Sequence, residues 1–142
     1  MTIFDYLQNA KKAKSELPKE VENIVVKNKK QILDLNREKQ LFDLGIDSDG
    51  NLLQGYKPIT IAIKKGKGEV YNRTTLLDNG DFYKGFDLLI RNGVINIFSR
   101  DTKSMDLVDK YGNIFGLIEE NQIIVNNKIV LPEIWSFLKK YL

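Results

Sequence analysis

The sequence predicts an α+β domain: long N-terminal helices packed on a small antiparallel sheet that contains the 86–100 hairpin, with a C-terminal helix. Three observations carry this. Apolar residues recur at three- and four-residue spacing through the first 44 positions. An Asn-Gly pair stands between two apolar runs at 86–98, and a Pro-led apolar stripe fills the last ten residues. At 142 residues the chain fits a single domain, 1–142, long enough to bury a core without disulfide staples. It divides into a helical region, 1–44, and a hairpin-containing core with the C-terminal helix, 45–142.

Ile3, Phe4, Leu7, Ala10 and Ala13 mark a short amphipathic helix. Leu17-Pro18 is expected to interrupt it, because proline suits the first turn of a new helix. The second helix then runs from about Lys19 to Leu44 on Val21, Ile24, Val25, Ile32, Leu35, Leu41 and Phe42. The stripe thins at Asn28. A helix of this length spans on the order of 40 Å, which is long for so small a domain, so part of it projects or packs on another chain. Gly45 is placed to end it.

Asp47-Ser48-Asp49-Gly50-Asn51 is turn chemistry. Tyr56-Lys57-Pro58 reads as extended, since the residue before proline is pushed out of the helical region. Ile59, Ile61 and Ile63 alternate with Thr60 and Ala62, which suits a short strand; a short helix is the rival. Lys64-Lys65-Gly66-Lys67-Gly68 reads as a mobile basic loop. Within 75–86, Asn79-Gly80 makes a turn, with Asp78 or Asn79 capping the entry to Asp81–Lys84.

Phe86–Ile90 and Val94–Phe98 flank Arg91-Asn92-Gly93, and Asn-Gly is the favoured pair for a type I′ hairpin turn. In the second strand Val94, Asn96 and Phe98 share one face, and Ile95 and Ile97 the other. Both faces are apolar, so one meets the long helix and the other is free for a partner. Ser104 is placed to cap a helix from Met105 to Tyr111, ended by Gly112. In the last segment, Ile123, Ile124, Val125, Ile129 and Val130 are β-branched and Asn126-Asn127 offers a turn, which favours two strand-like pieces before a helix over 133–142. A single helix kinked at Pro132 is the alternative.

Composition closes most routes to catalysis. There is no Cys and no His, which removes thiolate and imidazole chemistry and leaves triads only Lys or Thr variants, for which no spacing stands out. No enzyme activity, catalytic residue, cofactor or metal site is therefore expected. Asp47, Asp49 and Asn51 imitate the start of a calcium loop, but the positions for its Gly and bidentate acid hold Leu52 and Pro58. Gly66-Lys67-Gly68 lacks the remainder of a phosphate-binding loop. Asp78, Asp81, Asp101 and Asp106 show no arrangement that would split their acidities. No apolar run approaches the ~20 residues of a membrane span, and no basic stretch followed by an apolar one suggests a signal peptide.

The charge balance, 22 basic against 19 acidic residues, is that of a mixed, well-solvated surface. Lys64, Lys65 and Lys67 are the residues that would face DNA, as point charges. Aromatics cluster mid-chain. Phe82, Phe86 and Phe98 are assigned to the core, while Tyr56 and Tyr71, with Ile95 and Ile97, are assigned to subunit or partner contacts. The alternative reading of this basic, aromatic middle is a small nucleic-acid-binding module.

The run Leu76-Leu77-Asp78-Asn79-Gly80-Asp81-Phe82-Tyr83-Lys84-Gly85-Phe86, the hairpin after it and Leu107-Val108-Asp109-Lys110-Tyr111-Gly112 resemble elements of neck proteins of tailed bacteriophages, the tail-completion or virion-morphogenesis group. Gly45–Gly50 and Tyr56-Lys57-Pro58 are similar to versions carried by phages of Bacteroidetes, including crAss-like ones. The resemblance covers about Phe42 to Gly112. It departs from the pattern at Asn79, where Thr is usual, at Phe82, where Leu is usual, and at Gly85, near the usual Ser. It implies a non-enzymatic virion protein of the head–tail connector, made in the host cytoplasm. Such a protein forms a homo-oligomeric ring and docks on portal, adaptor or tail proteins, with DNA passing nearby unread.

Overall fold

The computed structural model describes residues 1–141. Helix α1 runs Ile3–Lys27, α2 Lys29–Asp34, and a π-helical segment, Leu35–Leu44, continues from it. Helices α3 (Pro58–Gly66) and α4 (Asp81–Lys84) precede the hairpin β1 (Phe86–Arg91) and β2 (Val94–Ser99). Helix α5 (Ser104–Tyr111) follows. Then come α6 (Glu119–Ile124), a second π-helical segment (Val125–Val130), α7 (Leu131–Leu138) and a 3₁₀ turn, Lys139–Tyr141. This is an α+β architecture with a long N-terminal helix, a two-stranded antiparallel sheet and a C-terminal helix.

Several local signals act as the sequence suggests. Gly45 ends the first helical run at φ 63°. The Asp47 carboxylate accepts from the amides of Asp49 and Asn51, at 3.0 and 2.9 Å, and closes its turn. Asn79 Oδ1 accepts from the Asp81 amide at 3.0 Å and so starts α4. Asn92 and Gly93 both take positive φ, 51° and 75°, as a type I′ turn requires. The strands pair from Phe86 opposite Ser99 to Arg91 opposite Val94.

Four expectations are corrected. First, Pro18 does not divide the N-terminal helices; it lies inside α1. Packing of Ala13, Ile24 and Val25 along one continuous stripe outweighs a penalty of ~3 kcal/mol for an interior proline. The break falls at Asn28, whose side-chain amide donates to the Ile24 carbonyl at 2.8 Å, beside the backbone bond to the same carbonyl, and to Glu133 at 2.7 Å. Second, 58–66 is helix, not strand and loop. No neighbouring strand is available to it among the described residues, whereas a helix satisfies its own backbone and Pro58 at its first position is preset for one.

Third, residues 119–138 are helical throughout. Asn121, Val125 and Ile129 are buried at four-residue spacing, so tertiary burial overrides β-branched preference. Pro132 lacks the N–H that would bond back one turn, and the turn before it is π-helical. Fourth, Ser104 is the first residue of α5 rather than its cap; its hydroxyl donates to the carbonyls of Ser99 and Asp101.

A two-stranded sheet needs a packing partner to persist. Phe86 and Leu88 meet it by joining Val25, Ile32, Leu33, Leu41, Leu53, Phe82, Ile114, Val125 and Ile129 in one core. Phe98 is not part of that core, a further correction. The register puts it on the opposite face, where the Arg100 guanidinium lies 5.2 Å from its ring centroid.

A polar network crosses the core beside these residues. Asn36 and Gln40, both fully buried, stand one turn apart on the π-helical segment. The Asn36 amide donates to the Ile114 carbonyl (3.0 Å) and accepts from the Gly116 N–H (2.8 Å). The Gln40 amide donates to the Gly116 carbonyl (2.8 Å) and accepts from the Ile118 N–H (2.9 Å) and the Asn121 amide (2.8 Å). Two side chains thus do for segment 114–118 what a neighbouring strand would do.

Candidate interaction surface

The N-terminal end of α1 is well formed locally and poorly covered. Thr2 and Asp5 make a reciprocal capping box, with the Asp5 carboxylate 2.7 Å from the Thr2 amide and the Thr2 hydroxyl 3.2 Å from the Asp5 amide. No residue of α1 before Ala13 is buried. Ile3 is 82% exposed and Phe4 77%, with Tyr6 and Leu7 about half so. At about 100° per residue, Ile3, Phe4, Tyr6 and Leu7 span an arc of roughly 160°, wider than the ~100° one packing face needs.

The inner side of this arc borders α7. A groove of about 570 Å³, lined almost wholly by apolar atoms, runs between Tyr6, Ala10, Ala13 and Leu17 on one side and Trp135, Leu138 and Tyr141 on the other. Trp135 is 60% exposed. The two helices are tied further along by Lys27 to Glu133 at 2.5 Å. This contact, with the bond from Asn28, holds the Glu133 pKa below the usual carboxylate range.

A second concavity, about 350 Å³, opens between α3 and α5. Ile63, Leu76, Leu77, Phe82, Leu107 and Tyr111 form its apolar lining, and Lys64, Lys67, Glu69, Asp78 and Lys103 its rim. Neither flanking helix has a buried residue. The floor is strained: Leu76 takes φ 57°, a left-handed conformation that costs a bulky residue ~1–3 kcal/mol. Its neighbours hold it there. The Thr75 amide donates to the Tyr56 hydroxyl at 3.0 Å, Tyr83 donates to the Thr75 carbonyl, and Thr74 donates to the Gln54 carbonyl at 2.5 Å. Burial pushes the Tyr83 hydroxyl far above the usual tyrosine range.

The residues singled out from the sequence fall into three places. Lys64 is not in a mobile loop. It closes α3 with its side chain only 12% exposed, 3.3 Å from both Glu69 and the Leu77 carbonyl and 4.8 Å from the Tyr56 ring centroid. Lys65 stacks on Tyr71, 4.7 Å from its ring centroid, at the surface. Lys67, just past the helix, is exposed and makes no ion pair among the described residues. Tyr56 lines the cleft and Tyr71 is 43% exposed.

Ile95 and Ile97 share the hairpin face of Leu88 and Ile90, which turns toward the core. Ile97 packs against that core, and Ile95 is 37% exposed near the turn. The free face carries Leu89 and Val94 instead. Sequence reading missed the exposure of Ile3 to Leu7 and the Asn36–Gln40 network. The signal for the second was available: Ile32, Asn36 and Gln40 repeat every four residues along the buried stripe.

Among the described residues no group of three or more acidic, His or Cys side chains is placed to hold a metal ion, and no helix is long and apolar enough to cross a membrane. Comparison with family models, with curated proteins and with solved structures found no match to this chain.

Proposed function

We propose that this protein is a non-enzymatic structural subunit that assembles with copies of itself, and that the assembly is a ring in the head–tail connector of a tailed bacteriophage. One observation supports self-assembly above the rest. The capped start of α1, Ile3 to Leu7, presents large apolar side chains to solvent over an arc no single face covers. Isolated exposed apolar residues are ordinary, but a contiguous group on an ordered helix marks an interaction site. Trp135 and the groove beside it extend the apolar surface. The connector setting rests on the resemblance over Phe42 to Gly112, as do the virion location and the portal, adaptor or tail-protein partners. Sedimentation velocity of the full chain tests the reading: species several times the 16.4 kDa chain mass are expected, growing with concentration. A single-chain species at every concentration would defeat it.

A second reading, a nucleic-acid-binding module, is favoured by Lys65 on the half-exposed Tyr71 with Lys67 beside them. It requires DNA or RNA affinity that falls steeply as salt rises. The connector reading requires little such affinity.

A further inference from the structure

We infer that the cleft between α3 and α5 is a binding site for a small apolar molecule that carries one carboxylate. The site lies within one chain, so it goes beyond the self-assembly reading and does not depend on it.

The sequence turns two helix faces toward this space. Thr60, Ile63 and Lys64 of α3, with Lys67 just past its end, recur at three- and four-residue spacing and share one face. Lys103, just before α5, and Leu107 and Tyr111 within it do the same at four-residue spacing. Both faces line the cleft. An amphipathic helix ordinarily buries such a face. Neither helix here has a buried residue, and the two faces meet across about 350 Å³ of open space. That volume falls in the ~300–1,000 Å³ range of small-molecule sites. It equals about a dozen waters at ~30 Å³ each, which suits two fused rings or a short branched chain and is too little for a helix.

The floor is preformed. Leu76 sits there in its left-handed conformation, fixed through Thr75 by the hydroxyls of Tyr56 and Tyr83. Strained residues persist where their surroundings over-determine them, and ligand clamps are among the places they gather.

Charge selects the head group. Around the cleft stand three lysines, Lys64, Lys67 and Lys103, and two carboxylates, Glu69 and Asp78, which leaves one positive charge. In each ion pair the lysine is the more sheltered partner: the Lys64 side chain is 12% exposed against 36% for Glu69, and Lys103 is likewise less exposed than Asp78. The positive ends thus lie inward and the negative ends face water, which screens them. Lys64 directs two donors, to Glu69 and to the Leu77 carbonyl, each at 3.3 Å. An ammonium has three, so one remains for a ligand. Both bonds are longer than the ~2.7–2.9 Å of a strong charge-assisted pair. Lys67 makes no ion pair among the described residues. A singly charged anion neutralises what the rim leaves over.

The test is calorimetric titration of the full chain with 2-naphthoate, its uncharged analogue 2-naphthalenemethanol and its cationic analogue 2-naphthylmethylammonium. One naphthoate per chain should bind, with a Kd on the order of 100 μM. The alcohol should bind about fivefold more weakly, and the ammonium more weakly still. Lys64→Met keeps the apolar stem and removes the charge, so it should bring naphthoate level with the alcohol while the alcohol's own affinity holds. Ile63→Trp, at an exposed position, fills the cleft and should weaken both at least tenfold. Trp135→Ala, in the groove beside α7, should change neither. Circular dichroism melts matched to the wild type verify that each variant folds.

Equal binding of naphthoate and the alcohol to the wild type would make the cleft a dock for an uncharged apolar group, such as a partner's side chain, and the inference falls. It falls as well if no naphthoate binds, if Ile63→Trp leaves binding intact, or if Trp135→Ala removes it. None of these outcomes bears on the mass of the assembly, which sedimentation reads separately.

Discussion

Replacing Gln40 with leucine should cost the fold about 3–5 kcal/mol, and the figure follows from its contacts. Gln40 is fully buried, and its amide satisfies three groups: the Gly116 carbonyl, the Ile118 N–H and the Asn121 side-chain amide. Leucine has nearly the same bulk, so the cavity contribution is small. What remains is three polar groups without partners, the Asn121 amide buried and the Gly116 carbonyl and Ile118 N–H half-buried. Each such group costs about 1–3 kcal/mol, and removing the glutamine's own buried amide offsets part of the total. Against a typical total stability of ~5–15 kcal/mol, the loss is large. In a chain of this length it lowers the melting temperature by roughly 10–17 °C. Urea titration followed by circular dichroism should show a lower midpoint at unchanged slope. Gln31→Leu, on the exposed side of α2, is the control and should stay within about 0.5 kcal/mol of the wild type. A loss below about 1 kcal/mol for Gln40→Leu would mean that segment 114–118 is held by something other than this network.

Three more outcomes follow from the same coordinates. Asn36→Leu with Gln40→Leu should cost less than the two single losses added together, because both hold the same segment through Gly116; strict additivity in a double-mutant cycle would contradict a shared network. Gly85→Ala should lose about 1–3 kcal/mol, since the added carbon would sit 2.6 Å from the Ser99 hydroxyl and 3.0 Å from the Asp101 amide, while Gly93→Ala, open to solvent at φ 75°, should lose only ~1 kcal/mol to its backbone conformation. A chemical-denaturation comparison of the two separates packing from strain.

The Asp87 carboxyl is lowered to about 2, first by the hydrogen bond from Arg100 at 2.6 Å and further by the Leu88 amide and Lys29, against the opposing effect of burial. A depressed carboxyl stabilises the fold above its unfolded value of ~3.9. That contribution fades as pH falls from there through about 2. Its size, screened by solvent, is on the order of 1 kcal/mol. Asp87→Asn should therefore weaken the protein at pH 7 and bring it level with the wild type near pH 2 in acid titrations.

The tertiary structure also resolves where the sequence was persuasive for the wrong reason. Isoleucines at alternate positions from Ile59 to Ile63 suggest a strand only if another strand lies alongside. None does among the described residues, and Pro58 starts a helix that leaves Ile59 and Ile63 exposed. The same holds for Ile123 to Val130, where the buried spacing of Asn121, Val125 and Ile129 decides for helix. The hairpin faces were grouped correctly along β2. Which face met the core was fixed by Phe86 and Leu88 across the ladder, since the residues opposite them point the same way.

The sequence alone determined the punctuation: the stop at Gly45, the Asp47 turn, the start of α4 at Asn79, the Asn92-Gly93 turn and the stop at Gly112. Each rests on one or two residues whose own backbone preference or short side chain settles the matter locally. Tertiary structure alone decided whether the apolar runs between them coil or extend, which amides are buried, and that Ile3 to Leu7 is left uncovered. Those outcomes depend on what lies across the core from each segment, and distance through space is not written in distance along the chain.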